Sequence, residues 1–151
     1  MKRILILCTG NSCRSQMAMG FLRAIDANLD VQSAGTDPTS AINPYAIKAM
    51  AEVDIDLSKE QPKSVERYLG EEWDFVITVC GGANESCPVF TGKVGKRMHI
   101  GFDDPASATG TDEEIMEVFR LVRDEIKKEM QKFYIVEVKG LRMPKCCCEC
   151  C

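Results

Sequence analysis

Arg3-Ile-Leu-Ile-Leu-Cys8-Thr9-Gly10-Asn11-Ser12-Cys13-Arg14-Ser15 is the stretch on which the fold turns. The run from Ile4 to Leu7 is continuously apolar, which suits a strand buried on both faces better than a half-solvated edge. After it, Met17, Phe21, Leu22 and Ile25 recur at helical spacing, with Ser12 or Ser15 placed to cap the helix start. Between strand and helix stands a Cys followed by five residues and then Arg and Ser. Successive backbone N–H groups from Thr9 to Arg14 can turn inward there as a nest at a helix N-terminus, where a tetrahedral oxyanion finds donors and a favourable dipole together. Arg14 adds a planar fork, and charge-assisted hydrogen bonds contribute roughly 1.5–3 kcal/mol each. Thr9, Gly10, Asn11, Ser12, Cys13, Arg14 and Ser15 are therefore the candidate anion-binding residues, and Cys8 lies beneath the anion. The same nest is expected to lower the Cys8 thiol from about 8.5 into the range of roughly 3.5–7.5. Lower basicity also lowers nucleophilicity, so acceleration has to come from fixing the anion against the sulfur and from donors that meet the developing charge. Ser15 either donates to that sulfur or is an ordinary first-turn polar residue. Asn11 is expected at positive φ, and Cys13 reads equally as a buried small hydrophobe.

Working outward, Val31 to Ala34 reads as a second strand ending at Gly35, and Asn43-Pro44 opens a helix through about Ala51. A shorter helix is expected around Lys63 to Leu69. Trp73 to Val79 is a third strand that delivers Cys80 onto Gly81-Gly82-Ala83-Asn84-Glu85-Ser86-Cys87-Pro88, whose composition argues for a mobile loop. Lys96 to Ile100 is a fourth strand, followed by Asp103-Asp104-Pro105. Thr111-Asp-Glu-Glu114 is a capping box ahead of a long apolar stripe, Ile115, Val118, Phe119, Val122, Ile126, Met130 and Phe133. Alternating strands and helices predict an α/β fold, a four-stranded parallel doubly wound sheet with helices on both faces. Ligands then bind beyond the carboxyl ends of the strands, where Cys8, Cys80 and Asp104 all fall. Residues 1–133 form one domain. In residues 134–151 a strand-like alternation, Tyr134 to Lys139, gives way to Gly140, Pro144 and a Cys-rich tail expected to be disordered.

The whole composition bounds the function. A chain of 151 residues, 45% of them hydrophobic, suits one domain with a sizeable core. Ile4 to Leu7 is too short for a signal-peptide core or a membrane span, so a soluble cytoplasmic protein is expected. The formal charge of -4 and the lack of a basic block argue against nucleic acid. An anionic substrate must then be drawn in locally, against a mildly repulsive field. The nine cysteines fall in three groups: Cys8 with Cys13, Cys80 with Cys87, and five in the last six residues. An odd, clustered set points to redox or metal chemistry in a reducing compartment rather than to a disulfide framework.

Cys8 to Ser15, Ser33-Ala34-Gly35, Phe102-Asp103-Asp104-Pro105-Ala106, and Cys80 with Cys87 on one loop together resemble the thioredoxin-coupled arsenate reductases, a family that shares its fold with low-molecular-weight protein tyrosine phosphatases. The resemblance covers Met1 to about Phe133. It implies arsenate as substrate, phosphate as competing oxyanion, thioredoxin as reductant and no cofactor. It implies that Cys8 attacks arsenate held by Arg14 and the loop amides, and that Asp104 protonates the departing oxygen. Cys80 then attacks the Cys8 sulfur as arsenite leaves, and Cys87 attacks Cys80 to present a disulfide to thioredoxin. Each new cysteine pair needs Cα atoms within about 7 Å, so the 80–87 segment has to move, and Gly81 and Gly82 supply the freedom.

Other readings stand beside this one. Cys80 and Cys87 can be ordinary thiols, and their spacing does not suit a zinc knuckle. Asp104 can be a turn or cap residue, with Asp103 as the acid, although the position before Pro105 favours Asp104. His99 suits packing or a hydrogen bond at a strand end. Some members of the family hold potassium beside the loop; Met19, Gln61 and Lys63 stand where its ligands are expected, so no potassium dependence is implied, with Lys63 supplying a positive charge. The alternative enzyme is a phosphatase working through a Cys8-phosphate, but Ala106-Ser107 and Thr36-Asp37-Pro38 leave out the aromatic residues that commonly grip phosphotyrosine. Cys146, Cys147, Cys148, Cys150 and Cys151 suggest a third role, binding arsenite or a soft metal such as copper(I) or zinc. They equally suit an extra resolving thiol or a tail without a role.

Overall fold

In the computed structural model, residues 1–85 and 87–141 are described, and the cysteine tail lies outside them. The first strand, β1, spans Arg3–Cys8, and Ile4, Leu5, Ile6 and Leu7 are all fully buried. A strand with no solvated face must be central. β1 indeed pairs in parallel with β2 (Asp30–Gly35) on one side and β3 (Trp73–Thr78) on the other, and β4 (Val94–His99) adds in parallel to β3. The sheet order is β2-β1-β3-β4. The register aligns Cys8 with Gly35 and Leu7 with Thr78, and Thr78 with His99, so every functional loop leaves the same edge.

Helix α1 spans Arg14–Ile25, α2 Pro44–Ala51, α3 Gly81–Glu85 and α4 Asp112–Phe133. α1 packs on β1, β2 and α4, and α2 also rests on α4. Phe133 meets Phe75 edge to face, with ring centroids 5.1 Å apart. The Asn43 side chain caps α2 through the Tyr45 N–H, and Thr111 and Glu114 complete the expected capping box on α4. No helix among the described residues is long and apolar enough to cross a membrane.

Four local expectations change. Of the loop expected after Cys80, Gly81–Glu85 is a one-turn helix, because the Ala83 N–H donates to Cys80 Sγ at 3.4 Å and Ala83 is fully buried, while Cys87 and Pro88 carry no regular element, as expected. The stretch after Phe133 does not run as a strand. It continues α4 as a π-helical turn, Tyr134–Val138, fixed by Tyr134 Oη on Asp26 (2.8 Å) and by a Lys96–Glu137 ion pair (2.8 Å). The helix expected near Lys63 shrinks to a 3-10 turn, Val65–Tyr68, capped by Ser64. Neither Ser12 nor Ser15 caps α1: its N-cap is Cys13, without a side-chain bond, and Ser15 already lies inside the helix with its hydroxyl at Cys8 and Asn11.

Candidate active site

Close pairing of β1 with β2 shapes the loop 9–13. The Thr36 N–H donates to Cys8 O, Asp37 N–H to Thr9 O and Thr39 N–H to Gly10 O, so the β2–α2 connection forms one wall. Asn11 takes φ 53, as expected, which turns its own N–H back onto Cys8 Sγ at 3.1 Å. Gly35 is required here: a Cβ would lie 2.4 Å from the Thr9 carbonyl oxygen.

The result is a cleft of about 360 Å³ with Cys8, Thr9, Gly10, Ser12, Cys13 and Arg14 as its floor. Asp37 and Thr39 form one rim, and Asp104 and Ala106 the other. Arg14 opens α1, donates from Nη1 to Phe102 O at 3.0 Å and lies 3.8 Å from Asp104 Oδ2. Asp104 is both a cap and a neighbour of the cation: its Oδ1 accepts the Ala106 N–H at 3.0 Å while the other oxygen faces Arg14. Asp104, rather than Asp103, lines the cleft.

Cys8 Sγ lies 2.8 Å from Ser15 Oγ. Ser15 Oγ accepts from Asn11 Nδ2 at 2.7 Å, and Asn11 Oδ1 accepts from Gln16 Nε2 (3.0 Å) and the Lys63 N–H (2.9 Å). Ser15 therefore does more than decorate a first turn, and Gln16 enters the site unforeseen. The expected lowering of the Cys8 thiol is not found. Burial pushes it up, and the bonds from Ser15 and Asn11 pull it back only in part. Arg14 is turned to Phe102 O and Asp104 instead. Burial also pushes Cys13 up to about 12, in keeping with a small core residue.

Cys80 Sγ lies 3.4 Å from Thr9 Oγ1, at the edge of the loop, and is buried. Cys87 is half-buried, and its sulfur accepts from Arg97 Nη1 at 3.5 Å. His99 Nδ1 pairs with Thr78 Oγ1 at 2.8 Å at the strand ends, as expected.

The family described as low molecular weight phosphotyrosine protein phosphatase matches residues 3–142. The chain belongs to this family. Within the phosphatase family, its relatives include proteins named arsenate reductase from Halalkalibacterium halodurans, 48% identical over 87% of this chain and 94% of that protein. Another, from Shouchella clausii, is 49% identical with the same coverage. A solved structure described as an arsenate reductase in the phosphate binding state superposes with a TM-score of 0.75, at 31% identity, over 88% of this chain and 96% of the other. Against the potassium arrangement of some members, Met19 is fully buried in the core, Gln61 offers its carbonyl to Gln16 Nε2, and the Lys63 ammonium reaches Gln32 Oε1 at 3.4 Å. A thioether and an ammonium do not make a potassium site. Among the described residues, no group of three His, Cys, Asp or Glu side chains is placed to hold a metal.

Proposed function

We propose that the chain reduces arsenate to arsenite by a three-thiol relay. The reading is carried by one observation: a sulfur under an oxyanion loop, Cys8, with a second thiol, Cys80, 3.4 Å from the side chain of the very next residue. Relatives at 48% and 49% identity that bear the name arsenate reductase support it.

Arsenate enters the cleft and takes the loop amides and Arg14 as donors. Because burial holds Cys8 as a thiol, its proton passes to a substrate oxygen as the anion settles, and Ser15 donates to the sulfur that remains. The thiolate forms a bond to arsenic(V), and the departing oxygen leaves as water with a proton from Asp104. Cys80 attacks the Cys8 sulfur; the S–S bond forms, the S–As bond breaks and its electron pair stays on arsenic, which leaves as arsenite. Cys87 then attacks Cys80, freeing Cys8 as a thiolate. Two thiols have been oxidised and arsenic has taken two electrons. Thioredoxin returns those electrons to the Cys80–Cys87 disulfide. α3 has to open for these exchanges, and a single turn, with an Ala83 N–H on Cys80 Sγ and a buried Ala83 to give up, makes that opening inexpensive. The site uses no cofactor, and the reaction belongs to arsenic resistance in the cytoplasm.

Phosphoryl transfer is the second reading, since the same floor and acid suffice for it. The rims formed by Asp37, Thr39 and Ala106 carry no aromatic ring, which favours a small inorganic anion over a tyrosyl phosphate. Cys80→Ser separates the two. It is expected to abolish thioredoxin-linked arsenate turnover while sparing phosphate-ester hydrolysis; undiminished reductase turnover would defeat the relay.

A further inference from the structure

We infer that the cysteine tail, residues 142–151, docks in a groove beside Cys87 and reduces the Cys80–Cys87 disulfide within the same chain. The inference rests on the relay reading above and adds to it a reductant that the chain carries itself.

The groove lies on one face of the sheet, across β3 and the edge strand β4. β4 is the last strand, and its Gly95, Lys96, Arg97 and His99 are exposed. Beside it Cys87, Arg97, Met98 and His99, with Val76 and Thr78 at the base, enclose an open space of about 360 Å³. The Arg97 guanidinium is held in place there, 5.2 Å from the centre of the Phe90 ring and 3.5 Å from the Cys87 sulfur. A cation beside the more accessible of the two relay thiols suits an incoming anionic sulfur.

The chain itself leads to this edge. Glu137 pairs with Lys96, the residue next to Arg97 on β4, and the Leu141 N–H returns to Ile135 O at 2.9 Å. The last described residue is thus tied to the turn that is anchored on β4. From Leu141, five residues reach Cys146 and ten reach Cys151, spans of up to about 17 Å and about 35 Å at full extension. Cys146, Cys147, Cys148, Cys150 and Cys151 then have the length to round the single edge strand β4 and enter the groove on the face opposite Lys96. Glu149, set between Cys148 and Cys150, complements Arg97. The family match ends at residue 142, so these five thiols are additional to the machinery the family shares.

The exchange balances without a further reactant. A tail thiolate attacks the Cys87 sulfur, a tail–Cys87 bond forms, and Cys80 leaves as a thiolate and takes a proton. A second tail thiol attacks the first, a tail disulfide forms, and Cys87 leaves as a thiolate. Two electrons and two protons have moved from the tail to the pair. Five tail thiols can do this twice, after which an external dithiol must reduce the tail.

The test is a count. The fully reduced chain is mixed with excess arsenate and no reductant, quenched in acid so that bound and free product are both measured, and its disulfides mapped by mass. About three equivalents of arsenite per chain are expected, one from Cys80 with Cys87 and two from the tail. The variant with Cys146, Cys147, Cys148, Cys150 and Cys151 all replaced by Ser should give one, at the rate of the first equivalent in the full chain. One equivalent from the full chain overturns the inference and leaves the relay standing, even if the tail holds arsenite. Later equivalents whose rate constant rises in proportion to protein concentration overturn it too, because the tail then serves another molecule. Cys87→Ser should stop at the first equivalent; if it matches the full chain, the relay fails along with the inference.

Discussion

Ser15 Oγ accepts from Asn11 Nδ2 at 2.7 Å, so the proton it carries is left for Cys8 Sγ at 2.8 Å. The direction is set further back, because Asn11 Oδ1 accepts from both Gln16 and the Lys63 N–H, which fixes the amide with its nitrogen towards Ser15. Ser15→Ala removes the hydroxyl donor and leaves the sulfur the Asn11 N–H at 3.1 Å. A hydrogen bond to a charged group contributes about 1.5–3 kcal/mol, so alkylation of Cys8 at pH 7 should slow by roughly ten-fold or more; an unchanged rate would show that the sulfur draws its stabilisation elsewhere. Cys13 makes the opposite point. Its thiol ionises near 9.0 in the unfolded chain and at about 12 in the folded one. The folded state therefore keeps a proton that the unfolded state gives up, and stability present below pH 9 is lost as the pH rises towards 12. At about 1.4 kcal/mol per unit the loss approaches about 4 kcal/mol. The melting temperature of Cys13→Ala, lower than the parent's at neutral pH, should fall less steeply over that interval. Parallel curves would refute the assignment.

At the scale of elements, the cleft depends on two loops being able to touch. Gly35 ends β2 directly against Cys8, and the missing side chain is what lets the Thr9 carbonyl close over it. Gly35→Ala should cost about 1–3 kcal/mol of stability from the overpacking and should weaken phosphate binding measured by calorimetry, because the displaced backbone is the anion's own donor loop. Full-strength binding would mean that the loop takes its shape without this contact. The same element shows why part of the site could be read in the sequence and part could not. Cys8, Arg14 and Asp104 each follow a strand, so alternation of apolar runs and loops was enough to bring them to one edge. Asp37 and Thr39 lie on the rim because the Thr39 N–H reaches Gly10 O. Nothing in a stretch reading Thr-Asp-Pro-Thr announces that contact. Gln16 was hidden in another way, as a polar residue in an apolar helix whose partner, Gln61, is 45 positions away. Gly81-Gly82 reads as a breaker, yet a buried Ala83 and a sulfur acceptor outweigh the weak helix propensity of glycine over one turn. Tyr134 to Val138 alternates like a strand, but the end of α4 and the ties to Asp26 and Lys96 carry it on as a helix.

For the whole molecule, the question is whether a chain with a net charge of -4 holds an oxyanion at all. The general field opposes it. What favours it is short-ranged: the amides of the loop, the start of α1, and an Arg14 that is partly buried and lies 3.8 Å from Asp104. The cleft is also where the β1–α1, β2–α2 and β4–α4 connections meet, so an anion there ties together three parts of the chain and stabilises the folded state as a unit. Inorganic phosphate at a hundred times its dissociation constant should add about 2.7 kcal/mol, which for a domain of this size raises the melting temperature by roughly 5–10 °C. Chloride at matched ionic strength should not do so. Arg14→Ala lowers the unliganded melting temperature somewhat, because the bond to Phe102 O is lost. The decisive quantity is the shift on adding phosphate, which should largely vanish in that variant. If the shift survives without Arg14, the anion is bound at some other place on the surface, and the chemistry assigned to Cys8 loses its substrate.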